Sequence, residues 1–169
     1  MIRIGILGGI GSGKSYVAKN FRHPVFNADL EVNKLYKKDR KIYKKLKRVL
    51  PKYIYSFPIN KNEVSNAILS NKINLKKIIK IVHLEIRKKL NIFLSKNRNK
   101  KIVILDIPLL LENKINKKND ILVFVKSKKS DILKRLKRRE GFNLKLLNKF
   151  KNIQLPLDYK KKKAQFVIK

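Results

Sequence analysis

The chain has 169 residues, no cysteine, and 45 lysines and arginines against 11 aspartates and glutamates, a formal net charge of +34. That length suits one α/β domain with room for a small insertion, and the lack of cysteine excludes a disulfide framework and a cysteine-ligated zinc site. No apolar run approaches the ~18 residues that span a bilayer, and no small-residue cleavage site follows the apolar start, so a soluble, cytoplasmic protein with no membrane partner is expected.

Composition accounts for most of the charge. Lysine, isoleucine and asparagine, whose codons are rich in A and T, supply 75 of the 169 residues. The lysines run from Lys34 to Lys169 over nearly every polar position and form no single stripe. We read the charge as compositional bias with attraction for anionic small ligands, and a nucleic-acid partner is not expected. The acids are more telling. Any general base or metal carboxylate must come from those eleven residues.

In chain order, Ile2 to Leu7 is a β-branched apolar run that ends in glycine, which predicts a buried strand. From Ser15 the pattern turns helical, with Val17, Ala18 and Phe21 on one face. Val25 to Asn27 reads as a short strand that delivers Asp29 at its C-terminal end. Residues 31 to 50 read as one helix, with Val32, Leu35, Tyr36, Tyr43, Leu46 and Leu50 at three- and four-residue steps. Pro51 to Asn62 reads as irregular, and Glu63 to Leu69 and Leu75 to Leu94 as further helices. Ile102 to Leu105 is the clearest strand, with Asp106 at its end and Pro108 stopping it. Ile121 to Val125 is another. A helix capped by Ser130 or Asp131 is expected to run to Arg139, with Gly141 as its stop. "QFVIK" closes the chain as a last strand. Short apolar strands alternating with helices predict an α/β fold, a doubly wound parallel sheet of about five strands with helices on both faces.

Five of the six glycines fall between Gly5 and Gly13, and "GGIGSGKS" fits G-x-x-x-x-G-K-[ST] with Gly8, Gly13, Lys14 and Ser15 at the fixed positions. The motif lies after a strand and before a helix, as a phosphate-binding loop requires. Backbone N–H groups from Gly9, Gly11, Ser12 and Gly13 converge on phosphate oxygens, and a side chain on the concave face would block their approach. The helix start adds unpaired donors. Lys14 reaches the β- and γ-phosphates, and Ser15 offers its hydroxyl to Mg²⁺. ATP with Mg²⁺ is therefore the expected co-substrate pair. No Asn-Lys pair is followed by Asp two residues on, which argues against a GTPase. A small P-loop chain with a helical insertion and a late arginine-bearing helix points to a small-molecule kinase.

The chain resembles dephospho-coenzyme A kinase. "ILGGIGSGKS" is similar to that family's opening, and "NADLEVNKLY" to its second-strand segment, whose last acid corresponds to Asp29. "LKKIIKIVHLEIRKKL" resembles its histidine-bearing helix, with His83 and Arg87 in place. "DIPLLLE" is similar to its third-strand signature and "RLKRREGF" to its lid helix. "IQLPLDYKKKKAQFVIK" resembles the segment leading to the last core strand, with Gln154, Pro156, Lys161 and Ala164 matching. The chain departs from the family at Tyr16 (usually Thr), Asn27 (usually an acid), Leu84 (usually Pro) and Lys61 (often Arg). The family also continues past its last strand with an Asn-Gly turn beside the adenine and a final helix. This sequence stops at Lys169, so the resemblance implies either a shortened member or one with impaired adenine binding and core packing.

The resemblance implies a P-loop kinase domain over residues 1–169, with a helical CoA-substrate insertion at 31–95 and a lid region at 128–155. It implies phosphorylation of dephospho-CoA by ATP. Asp29 is then the candidate base for the attacking hydroxyl, and an N-terminal helix cap is its structural alternative. Asp106, after four apolar residues, is the candidate Mg²⁺ carboxylate acting through water. Arg135 and Arg139, one helical turn apart, are candidates to clamp the transferring phosphoryl group, Arg135 and Tyr16 also standing on the ATP side. His83, Arg87 and Lys61 are candidates to hold the substrate's phosphates. Glu112 receives no chemical role. Two other readings stand beside this one: a kinase for nucleoside monophosphates, and a non-catalytic basic protein that binds nucleic acid.

Overall fold

The computed structural model of the chain describes residues 1–138 and 142–169. It divides into two compact units, one formed by Met1–Asn27 with Phe93–Lys169 and the other by Ala28–Ile92.

The first unit is built on a five-stranded sheet. Its strands are β1 (Ile2–Gly8), β2 (Val25–Asn27), β3 (Ile102–Asp106), β4 (Ile121–Val125) and β5 (Phe166–Ile168). They lie in the order β2-β3-β1-β4-β5, and every pairing is parallel. A parallel sheet is covered on both faces, which is why β1, β3 and β4 read as continuous apolar runs. On one face, Ile4 and Ile6 of β1 join Ile104, Val123 and Val125 in a core closed by Ala18 of α1 (Lys14–Asn20). On the other, a Cβ at Gly5 would come within 2.5 Å of Leu110 Cδ2, so the chain after β3 lies directly on the strand. The remaining helices of this unit are α6 (Lys129–Lys137), α7 (Leu144–Lys151) and α8 (Leu157–Lys163). The fold is the doubly wound parallel sheet expected from the element pattern.

The second unit is helical: α2 (Ala28–Lys38), α3 (Arg40–Val49), α4 (Lys61–Ser70) and most of α5 (Lys72–Lys96). Leu35, Ile42, Leu46, Ile54, Ala67, Ile78 and Val82 are among its buried residues. The single helix expected over residues 31–50 is two helices. The Asp39 side chain accepts hydrogen bonds from the amides of Lys41 and Ile42 and starts α3 afresh, with extended backbone at Asp39 itself. Glu63 is buried where chain turns meet α4, and its carboxylate accepts from the amides of Tyr55 and Ser56 and from the Ser56 hydroxyl. α3 and α5 are tied at the surface by Lys45 and Glu85, 3.5 Å apart. Lys88 donates to the same carboxylate at 3.0 Å, and that hydrogen bond, with the charges of both lysines, lowers the pKa of Glu85.

Two helices of the first unit, α7 and α8, escape the sequence reading because they are short and lysine-rich. Asn143 caps α7 through the amide of Leu146. In α8 one lysine of a run of four differs from the others. Lys160 is 1% exposed, while Lys161, Lys162 and Lys163 face solvent. Its ammonium donates to Glu112 at 2.5 Å, and the same Glu112 oxygen accepts the amide of Leu155 at 3.0 Å. Glu112 is therefore the anchor that docks α8. A second buried pair, Arg3 and Asp120 at 3.0 Å, ties β1 to the turn before β4.

Removing one partner of a buried ion pair strands the other charge. Lys160→Met should cost about 3–5 kcal/mol in urea unfolding, and Lys161→Met less than about 0.5 kcal/mol. Pairing Lys160→Met with Glu112→Gln should recover part of the loss. Equal stability of the two single variants would contradict the docking role.

Candidate active site

The C-terminal ends of the parallel strands share one edge of the sheet, where ligands bind in open α/β folds. The loop from Gly8 to Ser15 lies there, between β1 and α1. Gly11 and Gly13 have φ of +80° and +94°, a region that side chains rarely adopt. Gly13 is the left-handed residue that leads into α1, and its carbonyl accepts the amide of Val17. A Cβ on Gly11 would lie 3.0–3.2 Å from side-chain atoms of Leu136 and Ile132, so α6 packs against the loop.

Lys14 is buried, and its ammonium folds back over the loop. Nζ donates to the carbonyls of Gly9 at 2.8 Å and Gly8 at 3.2 Å. The charge is thus held by the backbone of the loop itself. From the far side, the Ser127 hydroxyl donates to the Ser12 carbonyl at 2.7 Å. Arg135 Nη1 adds contacts to the Ser12 carbonyl and Ser127 Oγ, both at 3.2 Å, and a longer one to the Gly11 carbonyl at 3.4 Å. Arg135 therefore braces the loop from behind. That contact was not foreseen from its lid position in the sequence.

Beside the loop, β2 and β3 pair in a register that sets Asn27 opposite Asp106. Asn27 Nδ2 donates to Asp106 Oδ2 at 2.6 Å and lies 3.5 Å from Ser15 Oγ. Asp106 is 3% exposed. Burial raises its pKa above the usual carboxylate range, against the opposing effects of a hydrogen bond from Ser15 and the charge of Lys14. Hydroxyl and carboxylate are hard oxygen donors of the kind Mg²⁺ takes. Among the described residues no three His, Cys, Asp or Glu side chains gather as a metal cluster. The protein thus offers a partial set, suited to a cation whose other ligands are phosphate and water.

The remaining expected residues divide between the units. Tyr16 is on α1 and 76% exposed. Asp29 lies inside the first turn of α2, which begins at Ala28, so it is not the cap residue of that helix. Lys61 is the exposed first residue of α4, after the Asn60 cap. His83 and Arg87 are one turn apart on α5, the first half-buried and the second exposed. Arg139 lies outside the described residues. At the start of the lid region the cap position is Lys128, with no side-chain bond, so Ser130 and Asp131 fall inside α6 and do not cap it. Sequence reasoning missed Ser127 and gave Asn27 no role. Both stand at the ends of apolar strands, the signal that picked out Asp106.

Comparison with known proteins identifies a family. Its model, described as dephospho-CoA kinase, matches residues 2–169. A dephospho-CoA kinase of the Wolbachia of Brugia malayi is 35% identical over 127 residues, which are 72% of this chain and 65% of that protein. The match thus spans just under two thirds of that relative's length. The dephospho-CoA kinase of Bartonella quintana is 30% identical over 170 residues, 98% of this chain and 87% of the relative. The crystal structure of TT1252 from Thermus thermophilus superimposes with a TM-score of 0.78 at 28% identity, covering 98% of this chain and 86% of that one.

Gly11→Ala should strain the loop at its positive φ and press on Leu136 and Ile132. We expect ATP affinity to fall about tenfold or more, with a stability loss of about 1–3 kcal/mol. Calorimetric titration with ATP and thermal unfolding read the two effects separately. Unchanged ATP binding would remove the loop from the site.

Proposed function

The chain belongs to the dephospho-CoA kinase family, and from that premise we propose that it transfers the γ-phosphoryl group of ATP to the ribose 3′-hydroxyl of dephospho-CoA, giving ADP and CoA, the last step of coenzyme A biosynthesis. The observation that carries the reading is the family match across residues 2–169, joined to a P-loop whose lysine is held in place by backbone.

Phosphoryl transfer asks the protein mainly for positioning and charge neutralisation. The loop amides from Gly9 to Ser15 hold the β- and γ-phosphates, and Lys14 balances charge that builds on them. Mg²⁺ arriving with ATP would be held by Ser15 directly and by Asp106 through water, and it supplies neutralisation of the phosphate oxygens. Asp29 accepts the proton of the 3′-hydroxyl as its oxygen bonds to the γ-phosphorus and the bond to the bridging oxygen of ADP breaks. Its support is its place in the chain, two residues beyond Asn27 at the end of β2, and its exposed carboxylate. Tyr16 and Arg135 are assigned to the ATP side, and Arg139 to the transferring phosphoryl group. Lys61, His83 and Arg87 are assigned to the anionic groups of the acceptor, with residues 31–95 as the acceptor-binding insertion. Among the described residues no helix is long and apolar enough to cross a membrane. We place the reaction in the cytoplasm.

The reading is tested on the acceptor. Coupled ADP release should show dephospho-CoA exceeding AMP, CMP, UMP and adenosine by several orders of magnitude in kcat/KM. The remote diphosphate and pantetheine parts give binding free energy that helps orient the hydroxyl. Ionic strength is matched throughout, because so basic a protein attracts any anion at low salt. Better turnover of a nucleoside monophosphate would favour that kinase class. DNA binding that weakens with salt, with no ADP formed, would favour the nucleic-acid reading.

The base is tested separately. Asp29→Asn should hold ATP affinity within a few-fold and lower kcat by roughly 10²- to 10⁴-fold. Intact kcat with lower thermal stability would make Asp29 a structural residue.

A further inference from the structure

The pairing of Asn27 with Asp106 carries more than local packing. The two residues are register partners on adjacent parallel strands, so the sheet itself sets their spacing. The amide donates to Asp106 Oδ2 at 2.6 Å, a short contact that an acceptor-only carboxylate makes only with a donor. Asp106 is 3% exposed, so little water screens what stands beside it. Lys14 acts on the same carboxylate as a nearby positive charge, and Ser15 as a hydrogen-bond donor. These contacts join one carboxylate, one ammonium, one hydroxyl and one amide, and the formal charges of those four groups cancel. A bare divalent cation gains little from a neutral pocket with two oxygen donors, whereas a nucleotide brings its own phosphate ligands and negative charge.

We propose that Asn27 is a positioning residue: its amide fixes Asp106 Oδ2 and keeps the cation site at a single carboxylate, so that a divalent cation is held only together with a nucleotide. The proposal rests on the reading of Ser15 and Asp106 as the cation's protein ligands. An acid at position 27 would set two carboxylates against each other and create an affinity for the free cation. An apolar residue there would leave Asp106 Oδ2 buried without its donor.

The experiment compares the full chain with Asn27→Asp and Asn27→Ala in thermal unfolding without nucleotide, at pH 8, in EDTA and in millimolar MgCl₂ balanced with NaCl to equal ionic strength. The native chain should unfold at the same temperature in both. Asn27→Asp should unfold about 3–8 °C lower in EDTA and regain most of that loss in MgCl₂. Asn27→Ala should fall by a similar amount and regain nothing. Spectroscopic titration with Mn²⁺ alone should show Asn27→Asp binding about tenfold or more tightly than the native chain, because ligand charge sets divalent affinity. Asn27→Ala as stable as the native chain would overturn the proposal. So would a native chain that binds free Mn²⁺ as tightly as Asn27→Asp. A third arm adds ATP with MgCl₂ to the native chain. Absence of any thermal shift there would count against the kinase reading, while the nucleotide-free comparison still decides the role of Asn27.

Discussion

The architecture of the first unit depends on parallel pairing. Parallel strands cannot be joined by tight turns, so every return passes over a face of the sheet and every strand ends at the same edge. That constraint explains the isoleucine- and valine-rich runs of β1, β3 and β4, which are buried on both sides. It also gathers polar residues at one edge: the glycine loop after β1, Asn27 after Phe26, Asp106 after Leu105, and Ser127 shortly after β4. No single segment encodes this collection. It follows from five strands running the same way.

Within that edge, the loop is held from two directions. Lys14 bonds the carbonyls at its start, and Ser127 with Arg135 bonds those at its middle. The loop backbone is thereby fixed at its start and at its middle. Electrostatic preorganisation of this kind is effective because the donors need not move when charge develops. The glycines permit the backbone path, but the carbonyl contacts are what hold it. A motif search finds the glycines and the lysine and is blind to the bracing.

How far the sequence could be read follows from the range of the interactions. β2 and β4 were legible to the residue, because each is an apolar run bounded by polar or turn residues. The glycine loop between β1 and α1 was legible because its determinants are contiguous. The break between α2 and α3 was not, because apolar spacing continued through it, and a single side chain, Asp39, decided the matter by capping. Asn27 and Asp106 are 79 residues apart, and only the sheet register brings them together. Glu112 looked idle in the sequence because its partner lies 48 positions on, in a lysine run where any of four residues could have been chosen.

That lysine run has a wider consequence. Where cations outnumber acids about fourfold, a lysine says almost nothing about where it belongs. Positional information passes to the rarer sign. Glu112 meets Lys160 because α8 turns that lysine alone inward: Lys160 is 1% exposed, while the next three lysines, each turned by a further roughly 100°, face solvent. Asp120 likewise holds a buried cation, Arg3 of the sheet's first strand. Drift in base composition can replace much of such a surface with lysine and leave the fold intact, provided it spares the few carboxylates that serve as addresses.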